Sequence, residues 1–280
     1  MKKYIYLLLL LIVFKAEAQD GVVFKMKYLP GHNYNGGITM AINCKISLSG
    51  DQKILDQINS QGVTQPIALD MTISMKGITK TGLPGKNNVF PLTMNYKLDS
   101  LKLNMGGKAI PIPEKANPDM MVYGHVGSDG KLVADSLSGG TAKDTSQKKI
   151  TQMMNTFQNM VKFPDRPLHI GDTFTQDMPF NLPVAGNSMA ANAKVTYKLV
   201  SIDNGMAYFD VEQNMDMNIP IKTESMNLQG KGTGKLIYDI ENNFPSDYKV
   251  NITLKFSGKI ATLQIDGTAL MDMDYKNSIN

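Results

Sequence analysis

Residues 261–275 read Ala-Thr-Leu-Gln-Ile-Asp-Gly-Thr-Ala-Leu-Met-Asp-Met-Asp-Tyr. The odd positions are apolar or small (Ala261, Leu263, Ile265, Gly267, Ala269, Met271, Met273, Tyr275), and the even ones are polar except Leu270. Successive side chains of a strand point to opposite faces, so this period of two predicts one long strand with a dry and a wet face. The same alternation recurs in Ala191, Ala193, Val195, Tyr197 and Leu199, and again in Ala207, Phe209, Val211, Met215, Met217, Ile219 and Ile221. The first half of the chain carries it in Ile38 to Leu48, Leu69 to Met75 and Phe90 to Leu98. Strands that are wet on one face belong to antiparallel sheets, because parallel sheets are covered on both. The expected class is therefore mainly β, with one or more large, curved antiparallel sheets.

Between Thr145 and Val161 the period changes. Ile150, Met153, Met154, Phe157, Met160 and Val161 recur at spacings of three and four, which predicts an amphipathic helix packed on the apolar face of the sheets. Asp144 or Thr145 can cap its start, and Phe163-Pro164 with Pro167 ends it. A weaker helical pattern, Ile54-Leu55 with Ile58, follows Gly50. Gly106 to Pro118 reads as a long loop and Ser128-Asp129-Gly130-Lys131 as a hairpin turn. Gly31-His32-Asn33-Tyr34 and Gly171-Asp172-Thr173-Phe174 each open a run of alternating strands, so the chain divides into two similar halves. The expected organisation is a signal peptide over 1–18, a β-rich half over 19–140, a helix and Pro-rich connector over 141–165, and a second β-rich half over 166–280.

The signal peptide rests on Lys2 and Lys3, the apolar run from Leu7 to Phe14, and the small residues Ala16 and Ala18. The apolar run is too short for a permanent membrane helix, and no cysteine follows the cleavage site to take a lipid anchor. The expectation is export to the periplasm, the cell surface or the exterior, with no stable span after cleavage. Removal of residues 1–18 takes away Lys2, Lys3, Lys15 and Glu17 and lowers the formal net charge from +4 to +2. So small a bias argues against nucleic acid as a partner. The single Cys44 cannot form an internal disulfide and reads as a small buried apolar residue.

The helix, Phe163-Pro164-Asp165-Arg166-Pro167, Gly171-Asp172-Thr173-Phe174, Tyr238-Asp239 and Phe244-Pro245 together resemble an uncharacterised family of exported β-rich proteins from Bacteroidota. That resemblance implies an architecture and no activity. Long antiparallel strands with an amphipathic helix also resemble the half-barrels of lipoprotein carriers, a likeness of shape that does not by itself give function. Asp99-Ser100-Leu101 and Asp135-Ser136-Leu137 resemble an O-glycosylation acceptor motif of exported proteins from the same group.

Catalytic signals are weak. His32, His125 and His169 are far apart, fall in expected turns or loops and lack metal-ligand spacing. No Gly-x-Ser-x-Gly elbow occurs, and the mature chain has only Glu114, Glu212, Glu224 and Glu241 as glutamates. Gly230-Lys231-Gly232-Thr233-Gly234-Lys235 lacks the phosphate-loop spacing, and Leu236 stands where Ser or Thr is needed. Its glycines fall on the dry parity, where they would clear room for a helix or another backbone. These readings predict a non-enzyme without metal or cofactor.

Methionine is the compositional signal: 20, against 10 Phe and no Trp. Met215-Asp216-Met217 and Met271-Asp272-Met273 invite a copper reading, but strand alternation already accounts for that spacing. A core packed with Met, and an adaptable apolar cavity, are the two other readings, since unbranched thioethers fill irregular space. The functional expectation is an exported, non-enzymatic envelope protein holding a hydrophobic ligand, a lipid or acyl chain, between sheet and helix. Its candidate ligand-binding residues are Met153, Met154, Phe157, Met215, Met217, Met271 and Met273. The alternatives are a structural or surface-interaction module with a filled core and, behind it, a hydrolase whose residues converge only in the fold.

Overall fold

In the computed structural model the structure describes residues 21–111, 120–138, 160–184, 187–221 and 224–280. The signal peptide and residues 145–159 of the helix expected at 145–161, with its Met153, Met154 and Phe157, lie outside the described residues, and Met160 and Val161, the last two of that span, form a bend rather than helix. The strands are β1 (Asn33–Gly50), β2 (Ile67–Thr81), β3 (Phe90–Met105), β4 (Lys108–Ala109), β5 (Met120–Val126) and β6 (Leu132–Ser138) in the first half. The second half adds β7 (Thr173–Val184), β8 (Asn187–Asp203), β9 (Met206–Ile221), β10 (Glu224–Asp239), β11 (Phe244–Ile260) and β12 (Leu263–Ile279).

All of them join one 12-stranded sheet in the order β6-β5-β3-β2-β1-β12-β11-β10-β9-β8-β7, with the short β4 paired to β3. Every pairing is antiparallel, and the sheet is open, with β6 and β7 at its edges. The two halves meet where the first long strand pairs with the last, Ile38 opposite Tyr275 and Met40 opposite Met273. They start alike. Gly31 (φ 74) and Gly171 (φ 96) each turn the chain into the left-handed region before β1 and β7, and their amides donate to the carbonyls of Gly82, just past β2, and Leu199, within β8.

Alternation gives the faces. Ala193, Val195, Tyr197 and Leu199 on β8 and Ala207, Phe209, Val211 and Met215 on β9 are all buried. The long strand begins at Leu263, because Ala261 sits with φ 54 in the β11–β12 turn, where no pleat assigns it a face. In β3 the parity changes sides: Met75 faces Leu98 but Ser74 faces Ser100, so Asp99 is the extra residue of a bulge. Beyond it Leu101 and Leu103 occupy the dry face opposite Ile73 and Met71.

Part of the expected Gly106–Pro118 loop is a tight β3–β4 hairpin in which Gly106 and Gly107 take φ 57 and 77. His125, expected in a loop, lies on β5 and its Nδ1 is 2.9 Å from Asp135 Oδ2 on β6. The weak helical pattern after Gly50 is a real helix, α1 (Gln52–Ser60), with Asp51 Oδ1 accepting from the amides of Lys53 and Ile54. No described helix is long and apolar enough to cross a membrane.

Two segments outside the strands cover part of the dry face. Residues 21–31 run beneath the sheet, tied by a two-way amide pairing of Val22 with Leu168, and by Tyr238, whose hydroxyl donates to the Lys25 carbonyl at 2.9 Å. Phe24 is 2% exposed, and its ring lies 5.2, 5.3 and 5.4 Å from those of Phe163, Phe209 and Tyr238. Met26 lies in this irregular segment. Phe24, Val161 and Leu168 complete one core over β8–β12; Tyr28 and Phe244 complete a second over β1, β3, β5 and β6.

Gly230, Gly232 and Gly234 clear the dry face, as their parity implies: at Gly234 the room is taken by the Lys249–Val250 backbone of β11, and at Gly230 and Gly232 side chains come nearest. A Cβ on these last two would lie 2.6 Å from Leu254 Cδ2 and 2.8 Å from Ile252 Cγ1, both on β11.

Candidate functional site

Cross-strand partners share a face, so register turns scattered apolar residues into rows. One row runs Leu101–Ile73–Met40–Met273 across β3, β2, β1 and β12, and the next runs Leu103–Met71–Ile42–Met271. These eight residues form one apolar patch, and every one of them is only half-buried. The rows then continue onto β11 as Val250 and Ile252, which are 1% and 4% exposed.

Of the expected ligand residues, Met271 and Met273 sit in this patch. Met215 and Met217 lie on β9, separated from them by β10 and β11; Met215 is buried in the core, and the Met217 thioether accepts from the Asn192 amide at 3.3 Å. The aspartates between the paired methionines, Asp216 and Asp272, point to the opposite, wet face. Sequence reasoning placed Met40, Ile42, Met71 and Ile73 on the dry face without joining them to Met271 and Met273. Their signal was the parity itself; the missing fact was that β1 pairs with β12.

Above the patch the dry face carries a cavity of about 180 Å³ bounded by Tyr28, Tyr34, Tyr96, Phe244, Tyr275 and Asn277, with Ile38 and Met75 on the side toward Met40 and Ile73. Glycine makes it. Gly36 pairs with Gly77 and Asn277; Tyr96 lies over Gly77 with ring carbons 2.9 Å from a Cβ placed there, whereas a Cβ on Gly36 would meet nothing nearer than Asn277 Oδ1 at 3.5 Å. Desolvation holds the phenols neutral: burial drives Tyr28 and Tyr275 well above the usual range, and Tyr96 is pushed up to about 12, opposed by its hydrogen bond with Thr79. In the same way, burial raises the Cys44 thiol, which is 8% exposed between Leu69 and Ala269.

The wet face holds a broader basin of about 1060 Å³ in which Lys45, Lys255, Asp216 and Asp266 stand among amides and hydroxyls. No group of three or more His, Cys, Asp or Glu among the described residues could hold a metal. Arg166, Asp172 and His169 form a clasp rather than a reactive cluster. Asp172 Oδ2 accepts from the His169 amide and from Arg166 at 3.0 Å each, which lowers its carboxyl below the usual range, and Arg166 also donates to the carbonyls of Pro167 and Thr173.

The clasp, Tyr238-Asp239 and Phe244-Pro245 fall within one matched stretch. Residues 134–245 match a family of unknown function, DUF6263. The match runs from within β6 to the start of β11, and it leaves β1–β3 and β12, which carry the patch, outside it. None of the curated proteins matches the chain significantly. Among solved structures the chain is similar to the β domain of the Bordetella autotransporter Brka, at 7% identity over 86% of this chain and 98% of that one, with a TM-score of 0.19. It is also similar to the enduracididine biosynthesis enzyme MppR, at 7% identity over 90% of each chain and a TM-score of 0.14. An acetoacetate decarboxylase-like enzyme from Sphingomonas wittichii RW1 follows, at 8% identity over 94% and 95% and a TM-score of 0.10. At such scores these likenesses carry neither fold nor function.

Proposed function

We propose that this chain is an exported, non-enzymatic envelope protein that holds a hydrophobic ligand, a lipid or acyl chain, against the dry face of its sheet. The observation that carries the reading is the half-buried patch of Met40, Met71, Met271 and Met273 with Ile42, Ile73, Leu101 and Leu103. Contiguous apolar surface of this kind is costly to leave in water and marks a binding surface. Thioethers suit it, since three rotatable bonds let each side chain refit around an acyl chain.

The test is native mass spectrometry of the protein purified under gentle conditions from its own host. The expected spectrum contains the mature chain with a retained adduct of lipid mass, lost on organic extraction. A spectrum of the bare chain alone would favour the filled-core interaction module.

A further inference from the structure

The geometry points to a second ligand site, independent of the acyl-chain reading: the Gly36 cavity binds a compact neutral molecule of one ring that carries a hydroxyl group. Its volume of about 180 Å³ is close to that of an apolar cavity, on the order of 150 Å³, known to take benzene. Its walls are the rings of Tyr28, Tyr34, Tyr96, Tyr275 and Phe244, whose faces and edges suit an aromatic guest.

Asn277 supplies the polar contact. It lines the cavity from β12, its Oδ1 lies on the Gly36 side, and its Nδ2 is buried with no hydrogen-bond partner. A buried amide left unpaired costs free energy that a guest can recover. A hydroxyl both donates and accepts, so it serves the carboxamide whichever end it meets. An ionised guest is disfavoured, because among the described residues no cation lines the dry side of the cavity and charge without a partner resists burial. Lys76, the one charged residue at the rim, is on the wet face, paired with Asp99 at 3.0 Å.

Neutral isosteres test this. Benzyl alcohol and ethylbenzene, with benzoate as the ionised control, are titrated into the ¹⁵N-labelled full chain and into two variants. Gly36→Val fills the cavity with a residue that suits a strand, and a Cβ there meets only ordinary contacts; its melting temperature verifies folding. Asn277→Leu removes the polar contact alone. The expected result is that both neutral rings bind the wild type and neither binds Gly36→Val. Benzoate does not bind, and Asn277→Leu weakens benzyl alcohol roughly ten-fold without weakening ethylbenzene. The Asn277 side-chain amide resonances move with the alcohol. Absence of binding to the wild type, retained binding in folded Gly36→Val, or equal weakening of both rings by Asn277→Leu would each overturn the assignment. Because no probe contains an acyl chain, failure here leaves the lipid reading standing, and the reverse holds too.

Discussion

On β8 to β11 the row through Tyr197, Val211 and Val250 is sealed, each residue 0 to 1% exposed; on β12, β1, β2 and β3 the same row, through Met273, Met40, Ile73 and Leu101, is only half-buried. Both stretches are apolar and both come from alternating strands, so hydrophobicity does not separate them. What lies on top does. Phe24, Phe163 and Leu168 close the first region with packed rings, and Tyr197 donates from its hydroxyl to the Met160 carbonyl at 3.2 Å. The second has unbranched thioethers where the first has rings and β-branched side chains. A sealed region gains stability from close packing, whereas an adaptable one keeps the freedom to admit a guest.

Truncation in the sealed region should have the largest effect. Phe209→Ala, at a ring 1% exposed between Phe24 and Phe163, is expected to cost about 3–5 kcal/mol in urea unfolding. A cost below about 1 kcal/mol would mean that the two regions are packed alike.

Alkali reaches the aromatic cavity next. Below pH 10 Tyr96 is neutral in both folded and unfolded chains; above it the unfolded chain loses the proton first, since the folded phenol holds it to about 12. Stability therefore falls as the pH rises from 10 to 12, by about 2 kcal/mol for Tyr96 alone. The raised phenols of Tyr28 and Tyr275 act in the same direction. Ultraviolet titration should show these phenolates appearing together with unfolding; early, separate ionisation would show the cavity to be wet.

The smallest effect belongs to the patch. Met271→Ala should cost about 1–2 kcal/mol, less than a fully buried methionine, because its side chain already meets solvent. If it matches Phe209→Ala, the patch is core and the contrast fails.

Most of the sheet was legible because alternation is a local signal, read residue by residue from Ala193 to Leu199 or Leu263 to Tyr275. The half-buried patch was not legible, because its eight members come from β1, β2, β3 and β12, and only the β1–β12 pairing brings them together. No local pattern encodes a pairing between residue 40 and residue 273. The bulge at Asp99 hid Leu101 and Leu103 for a related reason, since one extra residue reverses parity without changing composition. The seal of Phe24 and Tyr28 was missed because residues 21–31 are irregular and show no period. The cavity did leave a trace: Gly36 and Gly77 interrupt otherwise regular strands, as glycines do where room is being kept.

Hydrogen exchange with and without a fluorescent fatty acid tests the contrast most directly. Binding should bring new protection to residues 38–46, 67–75 and 265–273, while residues 193–211 stay as slow as they were, since a sealed core opens only near the global unfolding free energy. No binding, or a change spread evenly over both regions, would contradict the account.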